Sequence, residues 1–193
     1  MSNTRGAGPA VTLVRNATAL ATVDGTTFLV DPLFASEGTL PPTDNTPNDR
    51  RNPLVPLPDV DLSHDAVIVT HRHPDHFDDA AAERLDADVP LFCQPAEADA
   101  FVEDGFTDVR PVEETLAEFD PDAVVLNGGA AQFNHGEPIT MGVEDVAAVR
   151  EATDAPVAVV HMEAINHCLL SREELRAETA DVLIPEDGER IEF

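Results

Sequence analysis

The sequence predicts an α/β domain, on two observations. Behind an opening β-hairpin, short β-rich runs alternate with helical stretches along the chain, and that alternation implies sheets covered by helices. The length, 193 residues, is one domain's worth by the usual ~100–200. Hydrophobic residues make up 42%, and adding the 10 glycines gives about 47%, inside the ~45–50% of globular chains. Residues 1–193 therefore read as a single domain with a real core.

Residues 11–23 and 26–34 are β-rich and meet at Asp24-Gly25, a hairpin signal. Residues 35–60, dense in proline, form a loop long enough to expect over a site. Residues 65–70 read as a buried strand, because four apolar residues run unbroken between polar ends. A helix at 79–85, a strand at 89–93, a helix at 96–104 stopped by Gly105 and a strand at 107–112 follow. The second half repeats the rhythm, with strands at 123–126, 156–162 and 182–184 and helices at 143–152 and 172–179. Ser171 and Glu174 form a capping box before the last helix. The Asp187-Gly188 turn leads into an edge strand at 190–193.

The formal charge is −27, from 38 acidic residues and 11 cations, all of them arginine. The acids are spread over the whole chain, so they read as adaptation to a salt-rich cytosol rather than as one partner-binding tail. There is no basic patch, which argues against a nucleic-acid partner. No apolar run approaches the ~18 residues of a membrane span and no leader is readable, so the expected location is cytoplasmic. Cys93 and Cys168 form no pair with redox or metal spacing and read as reduced side chains.

The chemistry concentrates in Thr70-His71-Arg72-His73-Pro74-Asp75-His76, directly after the buried strand. Four candidate metal ligands in six residues at a strand end form a dense cluster. His71 and His73 can point the same way on an extended chain, and Pro74 turns it so that Asp75 and His76 face a neighbouring point. That arrangement suits two adjacent ions. His161 ends the apolar run 157–160; on position alone it serves equally as a core histidine or a ligand. His167 lies in the loop beyond, and His135 sits in the loop Asn134-His135-Gly136; both are weaker candidates.

The His-x-His-x-Asp-His string resembles the hallmark of the metallo-β-lactamase superfamily. Thr27-Phe28-Leu29-Val30-Asp31-Pro32 looks like that superfamily's first motif, with Asp31 as a buried acid bracing the metal loop. Arg15-Asn16-Ala17-Thr18, Thr140-Met141 and residues 161–168 are similar to a branch near the ascorbate-6-phosphate-lactonase-like hydrolases. The resemblance implies an αββα sandwich with metals at one edge, His161 as a ligand of the second metal, and Asp75 as the residue that holds a metal and orients the attacking hydroxide. It implies one or two zinc ions, or another divalent metal, and zinc lowers the pKa of bound water to ~7. The substrate would be a small molecule, an ester, lactone or phosphodiester; a non-catalytic paralogue that binds a metal or a partner is the alternative. Oligomeric state is left open.

The chain also departs from the pattern. The superfamily's third histidine for the first metal and its bridging aspartate have no counterpart, and only about eight residues stand between Val112 and Pro121, fewer than the ~10–12 of one crossover. An internal shortening near 113–122 is therefore expected. Self-repulsion at −27 should weaken the fold in dilute buffer. The melting temperature is expected to climb steeply from dilute buffer to molar KCl, where the Debye length falls to ~3 Å; a flat or falling trend would sink the salt-adaptation reading.

Overall fold

The opening run 11–23 folds as two strands rather than one. In the computed structural model, which describes residues 8–111 and 122–193, β1 (Ala10–Arg15) and β2 (Thr18–Val23) pair antiparallel across an Asn16-Ala17 turn. Asn16 takes φ 58° there, a left-handed conformation that asparagine tolerates better than most residues. The expected hairpin follows, with Asp24 and Gly25 both at positive φ leading into β3 (Thr26–Val30), as a two-residue hairpin loop favours.

β4 (Ala66–Ile68), β5 (Leu91–Cys93) and β6 (Val109–Pro111) add in parallel beyond β3. They are linked by α1 (Asp79–Arg84) and by a 3-10 turn (Pro95–Glu97) running into α2 (Ala98–Glu103). β9 (Arg190–Glu192) closes the opposite edge against β1, giving the seven-stranded order β6-β5-β4-β3-β2-β1-β9. Among the described residues a second sheet has two parallel strands, β7 (Val124–Asn127) and β8 (Val157–Val160), joined through α3 (Val143–Ala152) and followed by α4 (Arg172–Glu178). The strand expected at 182–184 shrinks to one bridge, Leu183 on Ala158. Asp181 at positive φ before it and Pro185 after it leave no length to propagate. The expected shortening lies, apart from Asp122, outside the described residues.

The two-residue period sorts each strand's side chains onto two faces. On the large sheet Val14, Leu20, Leu29, Val67 and Leu91 pack with Phe77, Ala81, Phe101 and Phe106 into the main core, all at 7% exposure or less. On the small sheet Leu126, Val157 and Val159 pack with Val146 of α3 and Leu175 of α4. The remaining faces, Ala19, Ala21 and Val30 on the large sheet and Val125, Asn127 and Val160 on the small one, line a cavity of about 1370 Å³.

Arg15 fixes the long loop beside that cavity. Fully buried, it donates to the carbonyls of Leu33 (2.5 Å), Ala35 (3.0 Å) and Val55 (3.1 Å). Burial pulls its guanidinium down to about 10 against the pull of Asp78 and Asp187, so it is charged at neutral pH. Arg15→Met leaves three carbonyls without a donor and is expected to destabilise the fold by about 3 kcal/mol, read from the urea midpoint in molar KCl. An unchanged midpoint would show that water replaces the clamp.

Candidate metal centre

The site is assembled at the C-terminal ends of β3, β4 and β8. Asp31, one residue past β3, is buried at φ 44° and accepts three hydrogen bonds: from Thr70 N (2.7 Å), Thr70 Oγ1 (2.7 Å) and His76 Nδ1 (2.8 Å). Thr18 Oγ1 donates to the Asp31 carbonyl and accepts from Leu33 N, which fixes the corner Asp31 occupies. Asp78 caps α1 through Ala81 N and accepts from Phe34 N and Ala35 N, tying that corner to the metal loop.

With Nδ1 committed to Asp31, His76 presents Nε2 as a lone pair. It lies 3.1 Å from His161 Nε2, and Asp75 Oδ2 lies 3.4 Å from His161 Nε2 and 3.8 Å from His76 Nε2. The ligand atoms of Asp75, His76 and His161 all fall within 4.8 Å of one another. Burial raises the Asp75 carboxyl, but the His161 hydrogen bond and the fields of His76, His161 and His167 more than reverse it, holding it well below the usual carboxylate range. His161 itself sits at φ 64° on a peptide whose N–H donates to Asn16 O, while Asn16 Nδ2 donates to Asp75 O. One asparagine thus joins the metal loop to the late histidine.

His71 and His73 stand beside this trio rather than in it. The His71 ring is centred 3.8 Å from His76 and 4.6 Å from His73, which is exposed. Thr70 Oγ1, which donates to Asp31, lies 3.1 Å from His71 Nδ1, so a relay of donors leaves His71 Nε2 free. Burial lowers the His71 pKa, with His76 and His73 adding to the effect. His167 is buried, stacks on Phe133 at 6.1 Å and lines the cavity. Burial lowers its pKa too, opposed by Asp75. His135 is exposed and the structure does not bring it to the cavity lining.

Two imidazole nitrogens and a carboxylate aimed at one point are a donor set suited to a divalent transition-metal ion. Two histidine nitrogens 3.1 Å apart also need a shared proton or a cation between them. The residues present therefore fit a metal.

Several residues that shape the site carry no motif. Gly129 is required because a Cβ there would stand 2.2 Å from the His161 carbonyl; a Cβ on Gly128 would stand 2.3 Å from Val159 Cγ1. The paired glycines after β7 were the available signal, since such pairs in strand context mark close approach. Asn166 pins the 43–52 stretch of the loop with bonds to Thr43, Thr46, Asn48 and Asn52.

No protein-family model matches the chain. Among curated proteins it is 30% identical to the UPF0173 protein YddR of Bacillus subtilis, over 95% of this chain and 99% of YddR. The chain belongs to the UPF0173 family. Among solved structures this UPF0173 chain is similar to a possible metal-dependent hydrolase from Veillonella parvula (27% identity, TM-score 0.88, 97% and 100% of the two chains). It is similar to isothiocyanate hydrolase from Delia radicum gut bacteria (28% identity, TM-score 0.88, 95% and 99%). The fold is shared as well with the metallo hydrolase Igni18 of Ignicoccus hospitalis (18% identity, TM-score 0.62, 96% and 99%). Two of these neighbours, at 27% and 28% identity, are named as hydrolases, one of them as a possible metal-dependent one, and the UPF0173 chain reads with them as a hydrolase enzyme.

His76→Ala and His161→Ala should each lower the metal content of protein purified without chelator, measured by elemental analysis. Content equal to wild type in both would exclude the trio as the binding point. Asn166→Ala, which removes the hub of the loop, is expected to cost about 3 kcal/mol in a urea titration with metal content retained.

Proposed function

We propose that the chain hydrolyses a small electrophile, an ester, lactone or phosphodiester, with zinc or a similar divalent ion held by Asp75, His76 and His161 and flanked by His71 and His73. The observation that carries this is the convergence of the three ligand atoms at the floor of a 1370 Å³ cavity. A divalent ion supplies Lewis acidity there, acidifying water and polarising the substrate oxygen. Asp31 orients His76 through its Nδ1–H, and Asp75, the most open of the trio, accepts a hydrogen bond from the attacking water and sets its direction. The name of the isothiocyanate hydrolase neighbour supports reaction at an electrophilic carbon.

The reading includes a shortened middle in a single domain. Its support is an alignment with YddR that runs over 252 positions against a chain of 193 residues, and a small sheet whose β7 leaves Val125 46% exposed. With no third histidine and no bridging aspartate, His71 and His73 alone make a weak first metal position, because catalytic zinc normally has three protein ligands. One tightly held ion and slow turnover are expected.

The test is aryl-ester and lactone hydrolysis with metal content measured on the same sample. Chelator should abolish turnover and Zn²⁺ restore it, and Asp75→Asn should lower kcat by about 100-fold or more with the melting temperature held. Metal bound without any turnover would favour the non-catalytic alternative. Two tight metals with brisk turnover would show that other residues complete the site.

A further inference from the structure

The cavity's chemistry is uneven. Its walls are apolar: Phe133, Ile139 and Met141 on one side, Pro41 and Ile165 on another. Every charged residue in its lining is acidic, with Asp31 and Asp75 at the floor and Asp44 and Asp145 at the exposed rim. The arginines that could receive an anion are committed elsewhere. Arg72 pairs with Asp104, Arg110 with Asp108, Arg172 with Glu163 and Asp187, and Arg176 with Glu186, while Arg15 and Arg51 bind backbone carbonyls. The chain has no lysine. The N-terminus of α3, which reaches the rim, is capped by its own Asp145 carboxylate on Gly142 N, so its dipole is already answered.

One polar group in the wall is unanswered. His167 is 5% exposed, held flat on Phe133, and neither ring nitrogen has a hydrogen-bond partner among the described residues; Nδ1 is fully buried. A buried imidazole without a partner is costly unless a ligand supplies one.

We propose that the cavity binds an uncharged, largely apolar small molecule, one heteroatom of which is received by His167, and that it discriminates against phosphorylated and other anionic substrates. This rests on the hydrolase reading for the reaction that follows binding, and narrows it to ester-, lactone- or heterocumulene-like substrates over phosphodiesters. An anion entering would meet Asp31 and Asp75 at the floor, where charge is little screened even in salt, with no arginine or lysine among the described residues of the lining to offset them.

The test uses two probes with matched aromatic tails, 4-phenyl-2-butanone and 2-phenylethylphosphonate, binding to zinc-loaded and to chelated protein by saturation-transfer NMR in molar KCl. The ketone is expected to bind the chelated protein about tenfold more tightly than the phosphonate, the zinc-loaded protein showing how much the metal itself adds to phosphonate binding. His167→Ala should weaken the ketone about fivefold, the worth of one neutral hydrogen bond, with metal content unchanged. Asp44→Arg should strengthen the phosphonate and leave the ketone as it was. Phosphonate binding equal to or tighter than ketone binding in the chelated wild type overturns the proposal, as does ketone affinity indifferent to His167→Ala. If elemental analysis finds no metal while the chelated protein keeps its preference for the ketone, the hydrolase reading falls and this one stands.

Discussion

The site depends on one carboxylate. Asp31 takes the backbone N–H and hydroxyl of Thr70 and the Nδ1–H of His76 within 2.8 Å. The same group therefore closes the end of β4 and selects the tautomer of a metal-binding histidine. It does so from a left-handed backbone at φ 44°, a conformation costly for a non-glycine residue and usually kept where the surroundings fix it. Thr18 on both sides of the corner and Asp31 N on Ile68 O supply that fixing.

A second set of polar groups, each buried, carries that order outward. Asn16 at φ 58° links Asp75 to His161, Arg15 holds the start and middle of the proline-rich loop, and Asn166 holds its tip. None of these residues need touch substrate. They convert a 26-residue connection with little regular structure into a fixed wall, which is why such a loop can line a cavity without a sheet behind it.

Electrostatics separates the surface from the site. The exterior carries most of the −27 charge, where mobile counter-ions screen it. Inside, the Asp75 carboxyl is held well below the usual carboxylate range beside His161 and His76, and its charge favours a cation at the point it shares with them.

The sequence by itself determined the alternation of strands and helices, because apolar period and turn residues are local properties: α3 and the Asp24-Gly25 hairpin stand where the pattern put them, and the capping box of Ser171 and Glu174 starts α4. It also exposed the density of ligands at 71–76 and the late His161. What it left open were meetings between residues far apart in the chain. Which histidines converge follows from Asp31 holding His76 toward His161, 85 residues away, with His71 beside the His76 ring and His73 exposed at the cavity lining. The split of β1 from β2 at Asn16 and the collapse of 182–184 to a single bridge were decided by which backbone groups found partners across the sheets. Hydrogen-bond partners at such separations, and the close approach that demands Gly129 against His161, exist only once the sheets are placed, so tertiary structure alone could decide them.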